Sequence, residues 1–470
     1  MSVLDLSAQL RARSVGSKEL VSACLANIEK SNAKLNAFIT VCADAALEAA
    51  TRADQEIGKG DQRGPLHGIP FAVKDQFWTR GIRTTNGSRL FSDFVPNTDA
   101  TVVARMLNAG AILVGKLNMM ELGFGPTLDP PYGVPRNPWD LTRTPGGSSS
   151  GSASAVAADL VPVTLGADAG GSIRLPAALC GVVGMKASRG HVSRYGLMGF
   201  GGWFDCAGPL GRTASDCAIV LGAIAGFDAN DPQSSVAAVP DYLAACSESA
   251  HGMRIGVVRE FLETDQLQQG ARNAFESALA ALKELGASIQ TVSIPNIDLA
   301  STAQTIIAEP EAAAWYREQL IERPGDIDVL PRCRLFAASL IPASFRPRAV
   351  RFVQRLQQQV DETLESVDVL VSPTTTGAAP PITATRIRSK EEAWRTVFGG
   401  RNLCTSPFSL TGHPAISIPC GFTSEQLPVG LQIVGKAFRE DTLFRVAASY
   451  QRVTEWHRVS PQTITRLQNA

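Results

Sequence analysis

The sequence of 470 residues has no excess of charge of either sign. Lys and Arg together number 44, and Asp and Glu together also number 44. A chain without a basic excess has no overall field with which to hold phosphate backbones or anionic lipid. The sequence therefore predicts a small-molecule partner, with no direct binding of nucleic acid and no membrane association.

Long apolar runs and paired cysteines are also absent. No uninterrupted apolar segment approaches the roughly 20 residues that a membrane-spanning helix needs. The N-terminus carries Asp5 and lacks the basic stretch and apolar run of a secretory signal. The nine cysteines are scattered singly, without a C-x-x-C pair. These features favour reduced thiols in a cytoplasmic protein without a metal site.

Hydrophobic residues make up 44% of the chain and charged residues 19%, which is ordinary globular composition. No segment has the composition of a linker, so the prediction is one domain spanning residues 1–470. The Pro-rich stretch 372–381 is interpreted as an irregular loop of the same domain, near the site.

Helical and strand patterns alternate along the chain, which is typical of an α/β protein. A strand-like run at 68–75 ends in Lys74 and Asp75. The other predicted helices lie at 20–28, 43–57, 100–109, 151–159 and 268–285, and the other strands at 111–115, 161–165, 254–258, 288–292, 367–371 and 415–419.

Two clusters rich in glycine and serine, at 144–152 and 166–176, are the most informative part of the sequence. Glycines permit backbone conformations in which several N–H groups converge on one point and bind an anion. Ser172 lies at the end of such a run, where it would adjoin an oxyanion hole. An alcohol nucleophile also needs a base, and a lysine held neutral by burial serves that purpose. Lys74, at the end of an apolar strand, is the natural candidate.

Several segments resemble the amidase signature family, and the resemblance runs through most of the chain. The segments are Gly68–Asp75, Pro145–Ser152, Asp168–Ala177, Cys180–Lys186, Leu410–Gly421 and Leu427–Gly435. The resemblance implies a large mixed β-sheet covered by helices on both faces. It also implies a catalytic core at about 60–220 and a variable helical elaboration over the site at about 250–400.

Carried over by position, the resemblance makes Lys74 the base, Ser148 a bridging serine that follows a cis peptide bond, and Ser172 the nucleophile. The backbone N–H groups of Ala169, Gly170, Gly171 and Ser172 would form the oxyanion hole. Asp168 and Arg174 are expected to hold the shape of this loop. The implied reaction is amide hydrolysis through an acyl-enzyme, without a metal or cofactor.

Other interpretations of the same residues exist. Gly147–Gly151 matches the G-x-S-x-G nucleophile elbow, which would make Ser149 the nucleophile, but polar residues and prolines precede it where a buried strand is required. Gly110–Lys116 nearly spells a phosphate-binding loop, but Leu117 replaces the needed Ser or Thr, which favours a core strand.

The remaining alternatives assign no chemistry to these residues. The serine-glycine clusters would then be flexible loops, and Lys74 a lysine reaching the surface. His67, His413 and Cys404 are interpreted as packing residues. A non-catalytic binding protein on the same fold would be expected to lack a catalytic position, whereas Lys74, Ser148 and Ser172 are all present.

The sequence identifies the substrate less closely than it identifies the reaction. His191–Gly196 and Asn137–Asp140 resemble the glutaminase subunit of the amidotransferase that amidates misacylated tRNA. Asn402, however, stands where that branch has an acid for the glutamine amino group, and Ala169 stands where it usually has threonine. Trp203 and Phe204 add bulk after the site.

Ser149, Arg401 and Asn402 are predicted to contact the substrate, with Arg401 facing either an acidic or carbonyl group or the solvent. Helices at 312–317 and 346–355 are predicted over the site. The prediction is a small carboxamide, with the glutaminase subunit or a hydrolase of carboxylated urea derivatives as alternatives. A homodimer is implied by the resemblance, and a small partner subunit stays open.

Overall fold

The computed structural model describes residues 2–125, 127–199, 203–382 and 403–462. Within them, the first three helices are α1 (Val3–Ala12), α2 (Ser17–Leu35) and α3 (Ala43–Lys59). Helices α2 and α3 pack on each other, whereas α1 contacts the later helix at 214–224. Ser2 begins α1 with a reciprocal capping box, because its side chain accepts from Asp5 N–H and the Asp5 carboxylate accepts from Ser2 N–H. The helices predicted at 20–28 and 43–57 lie within α2 and α3.

Eleven described strands form a single sheet. They are β1 (Phe38–Val41), β2 (Pro70–Lys74), β3 (Ile112–Leu117), β4 (Val163–Asp168), β5 (Val183–Lys186), β6 (Cys206–Gly211), β7 (Arg254–Val258), β8 (Ser288–Val292), β9 (Val369–Pro373), β10 (Ala415–Phe422) and β11 (Pro428–Val434). Their spatial order is β1-β3-β2-β4-β6-β5-β10-β11-β9-β7-β8.

The sheet is mixed in direction. Strand β2 runs parallel to both of its neighbours, β3 and β4, whereas β4 pairs antiparallel with β6. Carboxyl ends of parallel strands meet at one edge, so the residues that follow β2 and β4 come together there. The α/β class, with a large mixed sheet and helices on both faces, is confirmed.

The remaining helices were predicted in part. They are α4 (Thr101–Asn108), α5 (Ser150–Ala157), α6 (Arg174–Cys180), α7 (Ala214–Ile224), α8 (Tyr242–Ala245), α9 (Gln269–Glu284), α10 (Ala300–Trp315), α11 (Arg317–Glu322), α12 (Val329–Ser339), α13 (Phe345–Ser366), α14 (Ser406–Thr411) and α15 (Glu440–Val453). Short 3-10 turns lie at Arg89–Phe91, Glu121–Gly123, Arg259–Phe261, Ile297–Leu299, Pro324–Asp326 and Trp456–Arg458.

Strands β1, β5, β6 and β11 were missed by the sequence patterns. All six residues of β6 are buried, yet their sequence, Cys-Ala-Gly-Pro-Leu-Gly, has the glycines and proline of a turn. Gly208 is required there by close packing, because a Cβ on it would lie 2.2 Å from the carbonyl oxygen of Met185. Tertiary packing thus overrides the local preference.

Helices α10 to α13 pack together as a cover, defined here as residues 300–366. The predicted helix at 312–317 lies partly in α10 and continues in α11, and the one at 346–355 lies within α13. A buried apolar cluster that includes Ile307, Val353 and Phe408 joins the cover to the body of the molecule. Among the described residues, no helix combines the length and apolar character needed to cross a membrane.

Candidate active site

Lys74 is the last residue of β2 and is 1% exposed. Its Nζ lies 2.7 Å from the Oγ of Ser148, which is also buried. The peptide bond between Gly147 and Ser148 is cis. The structure therefore brings together the two residues that sequence reasoning assigned as base and bridge, 74 positions apart in the chain.

The surroundings of Lys74 favour its neutral form. Burial lowers the pKa of Lys74 to about 7, while the more distant charges of Asp205 and Asp168 act to raise it. No described carboxylate forms an ion pair with its ammonium group. A substantial neutral fraction is consequently present near neutral pH, as a base requires.

Ser172 stands in the loop between β4 and α6 and is partly exposed. Its carbonyl oxygen accepts a hydrogen bond from the N–H of Ser149 at 3.2 Å. This bond joins the two glycine-rich segments, so that the loop of Ser172 lies against the residue that follows Ser148.

Asp168 and Arg174 form a fully buried ion pair at the base of this loop. Arg174 Nε lies 3.0 Å from Asp168 Oδ2, and Arg174 Nη2 lies 3.0 Å from Asp168 Oδ1. Burial alone would raise the pKa of Asp168, but Arg174 and the other donors hold it at about 2. The carboxylate is therefore charged and accepts hydrogen bonds from within the loop.

One of those loop donors was predicted to serve the oxyanion hole. The N–H of Gly171 donates to Asp168 Oδ1 at 2.7 Å, and the N–H of Ile173 donates to Asp168 Oδ2 at 3.2 Å. Of the four predicted oxyanion donors, Gly171 is thus engaged with Asp168. The N–H groups of Ala169, Gly170 and Ser172 donate no hydrogen bond within the described part of the chain.

Two further residues that sequence reasoning missed complete the network around Arg174. Its Nη1 donates to Gln432 Oε1 and its Nη2 to Ser409 Oγ, each at 2.7 Å. Gln432 lies on β11 and Ser409 on α14. Both fall within or next to segments that resemble the family, but nothing in the sequence pairs them with a residue more than 230 positions away.

Ser149 does not present its hydroxyl to the loop surface. It is fully buried, its Oγ donates to the carbonyl of Ala167 at 3.2 Å, and it accepts from Ala167 N–H at 3.3 Å. No strand of the described structure precedes it directly, as an elbow would require. The geometry therefore disfavours Ser149 both as a nucleophile and as a contact to substrate.

The other predicted contacts lie elsewhere. Arg401 and Asn402 fall outside the described residues. Trp203 packs against the same apolar cluster as Ala169 does, and the Arg189 guanidinium lies 5.2 Å from the centre of the Trp203 ring. Phe204 is almost fully buried, so Trp203 supplies the accessible bulk.

The three residues that were interpreted as packing residues are all buried. The rings of His67 and His413 bond to Glu56 and Asp361 respectively. Cys404 is fully buried, and burial raises the pKa of its thiol to about 12. Residues 112–117, of the near-match to a phosphate-binding loop, form the core strand β3.

A neutral buried lysine that bonds one serine, beside a glycine-rich loop that carries a second serine, defines a class of acyl-transfer site. In this class the lysine activates a serine hydroxyl for attack on an acyl carbon. The described residues contain no group of three or more His, Cys, Asp or Glu placed to hold a metal ion.

Comparison with known proteins identifies the family. The family model described as Amidase matches residues 19–444, and the chain belongs to the amidase signature family of amide hydrolases. A glutamyl-tRNA(Gln) amidotransferase subunit from Chloroflexus aurantiacus is 39% identical over 488 aligned positions, which cover 99% of each chain. Seven further curated relatives, 38–39% identical, have the same name.

Several solved structures resemble the fold, and two of them illustrate different substrates. The corresponding glutamyl-tRNA(Gln) amidotransferase subunit from Thermotoga maritima is 33% identical, with a TM-score of 0.80 over 93% of this chain and 92% of that one. The peptide amidase from Stenotrophomonas maltophilia is 32% identical, with a TM-score of 0.84 over 97% of each chain. The family thus includes both amidotransferase subunits and an amidase with a different substrate.

Proposed function

We propose that this chain hydrolyses the C–N bond of a carboxamide with Ser172 as nucleophile, Ser148 as proton bridge and Lys74 as base. The observation that carries the proposal is the 2.7 Å contact between Lys74 Nζ and Ser148 Oγ in a buried setting that lowers the pKa of the lysine to about 7. A lysine in that state accepts a proton at neutral pH.

The reaction starts when Ser172 Oγ attacks the amide carbon. Ser172 gives its proton to Ser148 as Ser148 gives its own to neutral Lys74. The oxyanion that forms is held by the N–H groups of Ala169, Gly170 and Ser172, while Asp168 and Arg174 maintain the loop. The proton then returns through Ser148 to the leaving nitrogen, the C–N bond breaks, and an acyl-enzyme and an amine or ammonia result.

Water completes the cycle by the same route. It loses a proton through Ser148 to Lys74 and attacks the acyl carbon, and the ester bond to Ser172 breaks. The carboxylic acid leaves, and the proton returns to Ser172. Each step uses groups of this chain and one water molecule, which together account for every bond and proton without a cofactor.

For the substrate, the curated relatives favour the amidotransferase assignment over a stand-alone amidase. The eight relatives reported above are amidotransferase subunits that match nearly end to end, which supports glutamine as the amide donor and a complex with other subunits. Three residues argue for another small carboxamide or a carboxylated urea derivative: Ala169, Trp203 and Asn402. We place the glutaminase role first and test it directly.

The test is ammonia release by the purified chain and by Ser172→Ala from glutamine, aliphatic and aryl carboxamides, and urea derivatives. We expect Ser172→Ala to be inactive on every compound. Glutamine as the best substrate would support the glutaminase role, whereas a preference for another carboxamide by at least tenfold in kcat/KM would contradict it. Retained activity in Ser172→Ala would contradict the proposed nucleophile.

A further inference from the structure

Two consecutive carbonyl groups of the Ser172 loop are held by side chains from distant parts of the chain. The carbonyl oxygen of Ala169 accepts from Gln304 Nε2 at 2.7 Å. The carbonyl oxygen of Gly170 accepts from Thr405 Oγ1, also at 2.7 Å. Gln304 belongs to α10, so the cover reaches the nucleophile loop itself.

The amide of Gln304 has a defined orientation. Ser406 Oγ donates to Gln304 Oε1 at 2.9 Å, and Ser406 is almost fully buried. An amide oxygen accepts and an amide nitrogen donates, so this bond directs Nε2 toward Ala169. Ser406 thereby selects the arrangement in which Gln304 donates to the loop.

The consequence for the loop follows from the planarity of the peptide bond. In a trans peptide the C=O of one residue and the N–H of the next point in opposite directions. Fixing the Ala169 carbonyl toward α10 therefore turns the Gly170 N–H away from α10. The Gly170 carbonyl is fixed in the same way, and the Gly171 N–H on its far side meets Asp168.

The loop glycines make this close approach possible. A Cβ on Gly170 would lie 2.6 Å from Gln304 Nε2, and one on Gly171 would lie 2.2 Å from Thr405 Oγ1. Gly171 also has a φ of +128°, which favours glycine. Both contacts need a loop without side chains at these positions.

We propose that Gln304 is a positioning residue for the oxyanion hole: it orients the Ala169–Gly170 peptide so that the Gly170 N–H faces the developing oxyanion. This inference rests on the proposed function, in which Ser172 is the nucleophile. It assigns a role in the chemical step to a residue of the cover, 132 positions from Ser172 (304 − 172).

The test is the rate at which a small alkyl fluorophosphonate labels the protein, followed by intact mass. In that reaction Ser172 Oγ forms a bond to phosphorus, fluoride leaves, and the serine proton passes through Ser148 to Lys74. The phosphoryl oxygen occupies the oxyanion hole, so the rate reports the hole without knowledge of the natural substrate. Gln304→Leu, Ser406→Ala and the double variant are compared with wild type.

We expect Gln304→Leu to lower the maximal labelling rate by about 10- to 100-fold, somewhat less than the loss of an oxyanion donor itself. The half-saturating concentration of reagent should stay within about twofold, because only the chemical step is affected. Ser406→Ala should have a smaller effect, and the double variant should match Gln304→Leu, since Ser406 acts through Gln304. Gln319→Leu, a partly buried glutamine of the same cover, should label at the wild-type rate.

A wild-type labelling rate in folded Gln304→Leu, with Ser172→Ala unlabelled, would overturn the positioning role and leave the proposed function intact. Labelling of Ser172→Ala at the wild-type rate would overturn the proposed function and this inference with it. If Gln304→Leu does not fold, Gln304→Glu keeps the size of the side chain and replaces its donor by an acceptor. That variant should then show the same loss, and a wild-type rate in it would overturn the inference.

Discussion

Two buried lysines on neighbouring strands show how the same side chain serves different ends. Lys74 ends β2, and Lys116 lies on β3 opposite Val73. Both are almost fully excluded from solvent. Lys116 Nζ lies 3.3 Å from Asp75 Oδ1 and donates to Thr84 Oγ1 and to the carbonyl of Phe77. Lys74 Nζ contacts the hydroxyl of Ser148, and no described carboxylate forms an ion pair with it.

The difference teaches that burial alone does not make a lysine a base. Burial lowers the pKa of both lysines, but at Lys116 the charge of Asp75 opposes this effect, and the Nζ also donates to Thr84 Oγ1 and to the carbonyl of Phe77. Among the described residues, no carboxylate pairs with Lys74 to stabilise its charged form. Lys116 is therefore predicted to stabilise the fold and Lys74 to act in catalysis. Substitution of each lysine in turn tests this difference.

The largest expected effect is that of Lys74→Met. Amide hydrolysis should fall by about a thousandfold or more, because the proton of Ser172 loses its acceptor. The free energy of unfolding should not decrease, since an apolar side chain of similar size replaces a buried amine. Steady-state kinetics and urea titration measure the two quantities. Activity within tenfold of wild type would break the assignment of the base.

Lys116→Met should have the opposite effect: it should lower stability rather than activity. It leaves the Asp75 carboxylate buried without its cation, and we expect a loss of about 3–5 kcal/mol in the free energy of unfolding. The double variant Lys116→Met with Asp75→Leu should recover part of that loss, because no uncompensated charge then stays behind. Urea denaturation gives all three values, and an unchanged unfolding midpoint in Lys116→Met would refute a structural role for the pair.

The pH dependence of kcat/KM distinguishes the lysines without mutation. Lys74 acts in its neutral form, and its pKa is about 7, so the rate should rise with pH and level off above about pH 8. At pH 6 it should be about tenfold below the plateau. A rate that is flat from pH 5.5 to 7.5 would contradict a base with this pKa.

Stability should change with pH in the same direction. The pKa of Lys74 is about 7 in the folded chain and about 10.4 in the unfolded one, so between these values the unfolded chain binds more protons. The contribution of Lys74 to the free energy of unfolding therefore rises with pH across that window. The Lys74→Met variant should lose this contribution, and an identical pH slope in both proteins would be evidence against it.

The smallest effect is expected for Ser149→Ala, with its neighbour Ser148 as the contrast. Ser149→Ala removes a hydroxyl that bonds only the backbone of Ala167, so activity should stay within about tenfold of wild type. Ser148→Ala should lose most activity because it interrupts the path to Lys74. Equal losses in the two variants, measured on one substrate, would mean that Ser149 takes part in catalysis.

The sequence predicted the fold class, and the resemblance to a family assigned Lys74 and Ser148 as base and bridge, two residues that the structure places in contact. The apolar strand that ends in Lys74 and the glycine-rich segments that carry the resemblance are local signals. The predicted helices and strands agreed with the structure where hydrophobic periodicity was strong, as in α3 and α9.

What could not be predicted depends on contacts between distant residues. Gln432, Ser409 and Gln304 are polar residues of common type in a strand and two helices, and only the assembled fold places them around the loop of Ser172. Strand β6 was missed because its glycines are required by packing between strands, which a one-dimensional pattern does not record.

The order of strands in the sheet has a consequence for synthesis on the ribosome. Of the described strands, β10 and β11 are made last, yet they stand in the middle of the sheet, between β5 and β9. Until they emerge, the growing chain carries two partial sheets with unpaired edges, and such edges associate with other chains. Arg174 also lacks Ser409 and Gln432 during that time. The nascent protein therefore exposes these edges until residues 415–434 have been made, and the hydrogen bonds around Arg174 are completed only then.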